Sequence, residues 1–263
     1  MSGKPAVGPS YEGLQRKKLL ALLITCALAI IAALAEAGTG SIEFGLYEIF
    51  RALIGRGDAT ANTVLFGIRF PRAAAAILVG AALAMSGAVM QCVLHNPLAS
   101  ASTLGVSQGA AFGAAVGIIV FGGGVVNTGA ADFAIQIDNP YIVTLCAFVF
   151  GSLSTVVVIA ISRLRRDIGP GGLVLAGVAL SSLFTGGSTL LQYFADDTKI
   201  SAVVFWTFGD LGGTNWTQLL ILLVVTAAGF VYFMLRRWDY NALQNGADTA
   251  SSLGVNTRTV TLV

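Results

Sequence analysis

Charged side chains are scarce in this sequence. Among 263 residues there are 15 lysines and arginines and 13 aspartates and glutamates, so that 11% of the chain is charged and 56% is hydrophobic. Soluble domains carry about a quarter charged residues, and a water-soluble fold could not cover its surface with so little polarity. The net charge of +2 is too small and too scattered for a nucleic-acid partner. The composition, with a mean hydropathy of +0.81, therefore predicts a membrane protein.

Patterns that bind metals or perform catalysis are also lacking. His95 is the single histidine, and Cys26, Cys92 and Cys146 lie in apolar runs without the spacing of metal ligands. We interpret the cysteines as small packing residues. The sequence contains no Ser/His, paired-aspartate or metal constellation of an intramembrane hydrolase. We therefore expect no enzymatic activity and no cofactor bound by this chain.

Long apolar runs are what the sequence has instead. A spanning helix needs about 20 mostly apolar residues, and the third run is the shortest and rich in glycine. The first run follows Arg16, Lys17 and Lys18 as a signal peptide does, but it exceeds the usual core of about 7–15 residues, so we interpret it as a retained helix. The sequence predicts an all-α, polytopic helical membrane protein with six spans at 19–37, 73–93, 105–121, 141–162, 173–194 and 217–235.

The basic residues are distributed unequally between the two sides of the membrane. With the N-terminus in the cytoplasm, ten of the 15 lie on that side, and acidic residues show the opposite bias. Lys and Arg concentrate on the cytoplasmic side of membrane proteins. The sequence therefore predicts a cytoplasmic segment at 1–18 and a transmembrane domain at 19–263. The outer side receives Arg51, Arg56, Arg69, Arg72 and Lys199.

No Asp, Glu, Lys, Arg or His lies within the second to the sixth predicted spans. Carriers and pumps that use protons or ions place such groups at membrane depth, and many cation channels have a ring of them. Their absence disfavours both classes, so a secondary carrier is the weaker alternative. If this protein moves a solute uphill, we expect the energy to come from a partner protein.

Small residues recur at every fourth position in two spans. They allow helix backbones to approach closely in lipid, and they also suit the smooth wall of a translocation pathway. Close packing is the simpler interpretation of each, and both fit on opposite sides of one helix. The residues are Gly80, Ala84 and Ala88 in the second span and Gly105, Gly109, Gly113 and Gly117 in the third.

Three segments are more specific than generic spans. Arg69-Phe70-Pro71-Arg72 opens the second span on the outer side, where proline suits a first helical turn. The arginines either snorkel to lipid headgroups or present fixed cations to an acidic partner.

The other two segments lie on the cytoplasmic side. There, Asn96-Pro97 forces a turn after the second span. After the sixth span, Gly246 is expected to divide 239–255 into two short helices that end near Gly254, a pattern typical of a docking element for a soluble protein.

Together these segments resemble the FecCD family, the permeases of ATP-binding-cassette importers for iron–siderophore complexes, haem and cobalamin. The resemblance covers nearly the whole chain, and the order and spacing of its parts are more specific than any one of them. It is carried by Arg69–Arg72, Leu78–Leu83, Asn96–Ala99, Leu104–Ser107, Leu175–Leu180, Phe205–Asp210 and Asn241–Val255.

The resemblance implies a role for individual residues. Arg69 and Arg72 would meet acidic residues of an extracytoplasmic substrate-binding protein. Asn96, Pro97 and Leu98 would form a cytoplasmic gate, and the loop Ile168–Gly172 a second one. The residues that would couple the chain to two cytoplasmic ATPase subunits, which hydrolyse the ATP, are Asn241, Ala242, Leu243, Gly246, Asp248, Thr249, Ala250, Leu253 and Gly254. The family usually has a glutamate near Gly246; here Ala247 and Asp248 follow that glycine, and Asp248 could substitute for the glutamate.

The resemblance also implies a longer chain, because permeases of this family have about ten spans built as inverted repeats. Residues 259–263 are predicted to begin a seventh span. We interpret the sequence as a truncated gene product or fragment of a permease that pairs with a second copy or a homologue in the bacterial or archaeal cytoplasmic membrane. Because part of the pathway would be missing, a non-transporting membrane scaffold is the alternative.

Overall fold

The protein is helical throughout most of its length. A computed structural model describes residues 11–40, 42, 44–123, 125–126, 136–137, 140–164 and 170–262. A short antiparallel pair, β1 (Val125–Val126) and β2 (Gln136–Ile137), is the exception in this part of the chain. The helices are α1 (Tyr11–Gly38), α2 (Leu46–Leu53), α3 (Ala59–Val64), α4 (Phe70–Leu94), α5 (Val106–Ile119), α6 (Pro140–Leu164), α7 (Pro170–Tyr193), α8 (Asp197–Phe208), α9 (Trp216–Leu235), α10 (Arg237–Gln244), α11 (Ala247–Ser252) and α12 (Thr257–Leu262).

Five of the six predicted spans are confirmed as helices long and apolar enough to cross a membrane. The third prediction, 105–121, is too long, because α5 has 14 residues. At 1.5 Å per residue such a helix is about 21 Å long, shorter than the hydrocarbon core of about 30 Å. A crossing at α5 would therefore need irregular backbone to complete it, and such backbone is tolerated in a membrane only when protein or a water-filled cavity surrounds it.

The chain divides into two compact units. The first consists of residues 1–80 and 211–225. Its core comprises Ala37 at the end of α1, Ile49 and Ala52 on one face of α2, Ala61 in α3, and Leu65. These side chains are all small or aliphatic, so the short helices α2 and α3 pack closely against the end of α1.

A π-helical segment, Leu65–Arg69, joins α3 to α4. The helical path therefore begins at Ala59, earlier than the predicted start of the second span, and Pro71 lies inside it. Proline lacks the N–H that continues an α-helix, and the wider turn immediately before it accommodates that loss. The same segment ends on Arg69 and directs its side chain into the core, where the residue is 7% exposed.

The second unit consists of residues 81–210 and 226–263. In it, α5 packs against α6 through its glycine face, as predicted. A Cβ on Gly109 would lie 2.8 Å from the carbonyl oxygen of Phe150, and one on Gly117 would lie 2.9 Å from Cα of Val143. Lys199 of α8 donates to the carbonyl of Ile119 at 3.2 Å and so satisfies the last turn of α5.

The small residues of α4 have a different environment. Gly80, Ala84 and Ala88 are exposed, and a Cβ on Gly80 would meet no atom of the described chain within 4 Å. Packing among the residues that the structure describes therefore does not explain this second row of small residues. The face remains available to another segment or subunit.

The two rows of small residues, one in α4 and one in α5, allow a paired prediction. Gly113→Ala places a methyl group against the backbone of Cys146, and overpacking of this kind costs about 1–3 kcal/mol. Gly80→Ala adds the same methyl group to open space. We expect thermal unfolding in detergent to show a lower midpoint for Gly113→Ala and an unchanged or higher midpoint for Gly80→Ala. Equal midpoints would contradict the packing of α5 on α6.

Candidate functional site

Arg69 is a buried clamp in this structure. Its Nη1 donates to the carbonyl of Ala37 at 2.6 Å, and its Nη2 donates to the carbonyl of Ile42. The guanidinium also lies over the ring of Phe44, 4.9 Å from its centroid. The side chain thus fastens the end of α1 and the turn after it to the start of α4. The sequence indicated the cation but not this role, because a neighbouring arginine made a surface pair the simpler interpretation.

Arg72 is the accessible member of the predicted pair. Its Nε lies 2.9 Å from Oε1 of Glu36, and its side chain is 49% exposed. An exposed ion pair contributes little to stability, about 0–1 kcal/mol. The two arginines therefore differ in kind: Arg69 is buried against its own chain, whereas the side chain of Arg72 is about half exposed and pairs with one carboxylate. The docking role of both remains a prediction.

The predicted gate is a compact turn with an exposed tip. The amide of Leu98 donates to Oδ1 of Asn96 at 2.9 Å, and the amide of Ala99 donates to the carbonyl of Asn96 at 3.0 Å. An asparagine side chain that mimics a backbone turn in this way explains the Asn-Pro sequence. Leu98 is 80% exposed at the tip. The turn is thus well defined while its apolar tip is free to contact another surface.

The segment that follows the gate turn, residues 103–105, is held in place by contacts with α6 and α7. Ser154 of α6 is fully buried, and its hydroxyl donates to the carbonyl of Leu104 at 3.0 Å. A Cβ on Gly177 of α7 would overlap the backbone of Thr103 and Leu104, and Gly105 has a φ of +80°. The hydroxyl of Ser154 thus supplies a partner to the irregular backbone immediately before α5, and the two glycines allow the close approach.

The predicted coupling segment forms two short helices, α10 and α11, as expected. Gly246, with a φ of +104°, lies between them, and Gly254, with a φ of +82°, follows α11. The structure divides the nine predicted coupling residues by exposure. Leu243 and Ala250 are buried in a cluster with Tyr240 and Val260. The exposed ones are Asn241, Asp248, Thr249, Leu253 and Gly254, while Ala242 and Gly246 are partly exposed.

His95 and Cys92 connect the gate to the coupling helices, a link that the sequence analysis missed. Nε2 of His95 lies 2.7 Å from the carbonyl oxygen of Leu243, and Nε2 of Gln244 donates to Sγ of Cys92 at 3.0 Å. Neither residue has the sequence spacing that is typical of metal ligands, so the sequence assigned neither of them to a site. A single histidine immediately before Asn-Pro was the available signal, because histidine adopts the left-handed region more readily than most residues.

Two ionisable groups near α10 have shifted pKa values. A hydrogen bond to Asp239, 2.8 Å away, is the main cause that raises the pKa of Arg236, and burial raises the pKa of Tyr240. Arg236 therefore stays charged and Tyr240 stays neutral at physiological pH. The ion pair between Arg236 and Asp239 thus lies at the junction between α9 and α10.

Three predicted features lie partly or wholly outside the described residues. They are the cytoplasmic segment 1–18 before Tyr11, the second gate loop before Pro170, and the end of the predicted seventh span at Val263. Helix α12 occupies most of the last feature. In the described ranges, no group of three or more His, Cys, Asp or Glu side chains could hold a metal ion. Nothing there supports a metal centre in this chain.

Curated relatives support the comparison with importer permeases. The chain is 47% identical over 96% of its length to a Methanocaldococcus jannaschii protein assigned as an ABC transporter permease, and spans 71% of that protein. It is 30% identical over 87% of its length to the Haemophilus influenzae molybdate import system permease and 33% identical over 75% to the Klebsiella pneumoniae vitamin B12 import system permease. It spans 65% and 55% of these two proteins.

A solved structure and a family model agree with these relatives. A transporter structure assigned to the metal-chelate ABC type, in an inward-facing conformation, matches 94% of this chain with a TM-score of 0.74 and 29% identity, and the chain covers 70% of it. The model of the FecCD transport family matches residues 26–263. The chain therefore belongs to the FecCD transport family, as a multi-pass helical protein of the cytoplasmic membrane.

Proposed function

We propose that this chain is a permease subunit of an ATP-driven importer for a metal chelate. Two copies, or one copy and a homologue, would enclose the pathway, two cytoplasmic ATPase subunits would drive it, and an extracytoplasmic binding protein would deliver the chelate. Family membership supports the class of protein. Helices α5, α7 and α9 contain no Asp, Glu, Lys, Arg or His, which supports an external energy source over ion coupling.

The metal chelate is the narrowest substrate class that we propose. The matched transporter structure is assigned to the metal-chelate type, and the relatives named for vitamin B12 and molybdate import also carry metal-containing solutes. An iron chelate is our preferred member of the class. Uncharged helix faces suit a bulky complex that a binding protein hands over, because they offer few attachment points along the path.

The observation that carries this function is the surface of α10 and α11. Leu253, the residue that follows α11, is 68% accessible, and Asp248 and Thr249 in α11 are exposed, while the buried face of the two helices rests on their own chain. Large apolar side chains exposed beside polar ones are typical of protein interaction sites. On the predicted cytoplasmic side, such a surface suits the cleft of a soluble ATPase.

Replacing Leu253 with aspartate tests this proposal. We expect binding of the ATPase to weaken by about tenfold or more, because a carboxylate would be desolvated in an apolar contact. Co-purification of the assembled complex in detergent, followed by titration of the ATPase, measures the loss. Since Leu253 contacts little of its own chain, the unfolding midpoint should not change.

Leu164→Asp is the matched control. Leu164 ends α6 on the predicted cytoplasmic side and is 82% exposed, so its replacement introduces the same charge away from the coupling helices. We expect ATPase binding to persist. Equal ATPase binding by Leu253→Asp and the unmodified chain would argue against this coupling surface. Leu243→Asp is unsuitable as a test, since that side chain is 2% exposed and a buried charge would disrupt the fold itself.

A further inference from the structure

The gate turn and the coupling helices meet at one side chain, His95. Its Nε2 lies 2.7 Å from the carbonyl oxygen of Leu243, a residue 148 positions later. A carbonyl only accepts hydrogen bonds, so Nε2 must carry the proton. The same carbonyl accepts the amide of Gly246 at 3.0 Å. His95 therefore completes the cap on the last turn of α10, where carbonyls lack partners within the helix.

The backbone of His95 is also specialised. Its φ of +47° is the one positive value among the described non-glycine residues, and it follows directly after Leu94, the last residue of α4. This left-handed step ends the helix and starts the turn Asn96-Pro97-Leu98. The imidazole that caps α10 thus belongs to the residue that sets the direction of the gate.

Two further contacts fasten α10 to the last turns of α4. Nε2 of Gln244 donates to Sγ of Cys92 at 3.0 Å. The buried cluster that contains Leu243 packs against Val89, Cys92 and Val93. These contacts hold α10 on the helix that precedes the gate, whereas His95 connects it to the gate turn itself.

We propose that His95 is a positioning residue that makes α10 and the gate turn move as one body, so that displacement of the coupling helices by the ATPase is transmitted to Leu98. This inference rests on the proposed function. A hydrogen bond to the helix end and a fixed left-handed backbone leave the turn little freedom to lag behind α10. The ATPase would then move the gate through a rigid connection, without a conformational change within α10.

Asparagine and glutamine at position 95 separate the bond from the backbone. Asparagine tolerates the left-handed conformation, but its amide reaches only as far as Nδ1 and cannot contact the carbonyl of Leu243. Glutamine places its Nε2 where the imidazole Nε2 lies and can donate the bond. His95→Asn therefore removes the connection with little backbone strain, and His95→Gln retains it.

The movement of the gate can be measured without knowing the substrate. A spin label is placed at Leu98→Cys in full-length protein with Cys26→Ala, Cys92→Ser and Cys146→Ala, assembled with its ATPase. Serine at position 92 still accepts from Gln244. Pulsed electron resonance gives the distance between the labels of the paired copies, with and without ATP and vanadate. ATPase binding and hydrolysis are measured on the same samples.

We expect trapped nucleotide to change the label distance in the parent protein and in His95→Gln, and most of that change to be lost in His95→Asn with ATPase binding and hydrolysis retained. A full change in His95→Asn, or its equal loss in both variants, would overturn the role of His95. If the parent itself shows no nucleotide-dependent change, the proposed function fails, whatever the variants do.

A cross-link tests the rigid connection independently. A cysteine at position 244 ends short of the glutamine Nε2 that reaches Cys92, so a short bifunctional methanethiosulfonate reagent is used to join Gln244→Cys on α10 to the native Cys92 on α4, with Cys26 and Cys146 replaced. If the two helices move together, stimulation of ATP hydrolysis by the binding protein should survive cross-linking. Its loss on cross-linking and recovery when the cross-link is reduced would show that α10 and α4 must separate, and the proposal would be wrong.

Discussion

Replacing Arg69 with alanine is expected to lower the free energy of unfolding by about 3 kcal/mol, because hydrogen bonds from a charged group contribute about 1.5–3 kcal/mol each and are not fully additive. The carbonyls of Ala37 and Ile42 lose their donor, and the ring of Phe44 loses the guanidinium above it. The end of α1 would then separate from α4. Thermal unfolding in detergent, followed by fluorescence or circular dichroism, measures the change.

Arg69→Lys is the matched variant for this experiment. Lysine keeps the charge but lacks the planar fork that reaches two carbonyls at once, so we expect an intermediate loss of stability. The clamp would be refuted if Arg69→Ala unfolded at the temperature of the unmodified protein. That result, together with lost capture of the binding protein, would instead make Arg69 a docking residue.

The sequence predicted the architecture well because lipid restricts the choices. An apolar run of about 20 residues in a chain with few charges has one plausible structure, a spanning helix, and the described residues contain five such helices. The exception is instructive. The run 105–121 contains the helix α5, which ends at Ile119, shortly before Gly122 takes a left-handed φ of +68° and the amide of Gly123 closes back on the carbonyl of Gly117 at 3.0 Å. Hydropathy along the chain does not mark this end, because Val120 and Phe121 continue the apolar run, and the hydrogen bond from Lys199 to Ile119 comes from a residue 80 positions away.

The residues of the gate and the coupling helices could be predicted only in part, because a sequence shows local features but not which distant groups pack or bond together. Gly246 and Gly254 could be identified from sequence because a break between helices and a C-terminal cap are local features. The burial of Leu243 and the exposure of Leu253 could not, since both leucines satisfy the same helical periodicity. His95 was overlooked because its partner is a backbone carbonyl, and a carbonyl leaves no mark in the sequence that would identify it as a partner.

The surface of Arg72 leads to the second large expected effect. Reversing its charge, Arg72→Glu, is expected to weaken capture of the cognate substrate-binding protein by about 50- to 100-fold, because a like charge placed against an acidic partner costs several kcal/mol. The cost to folding should be small, since the pair with Glu36 is exposed. Surface plasmon resonance with the reconstituted complex measures the affinity at two salt concentrations.

Glu36→Gln distinguishes a docking cation from a broken ion pair. This variant breaks the same contact as Arg72→Glu, whose two atoms are 2.9 Å apart, but it leaves the guanidinium in place and less neutralised. If the cation itself docks, Glu36→Gln should bind the partner as tightly as the unmodified chain or more tightly, and its affinity should fall steeply as salt rises. If Glu36→Gln loses affinity as Arg72→Glu does, the ion pair orders this surface and Arg72 has no direct contact. The same affinity for the unmodified chain and Arg72→Glu would remove Arg72 from the interface altogether.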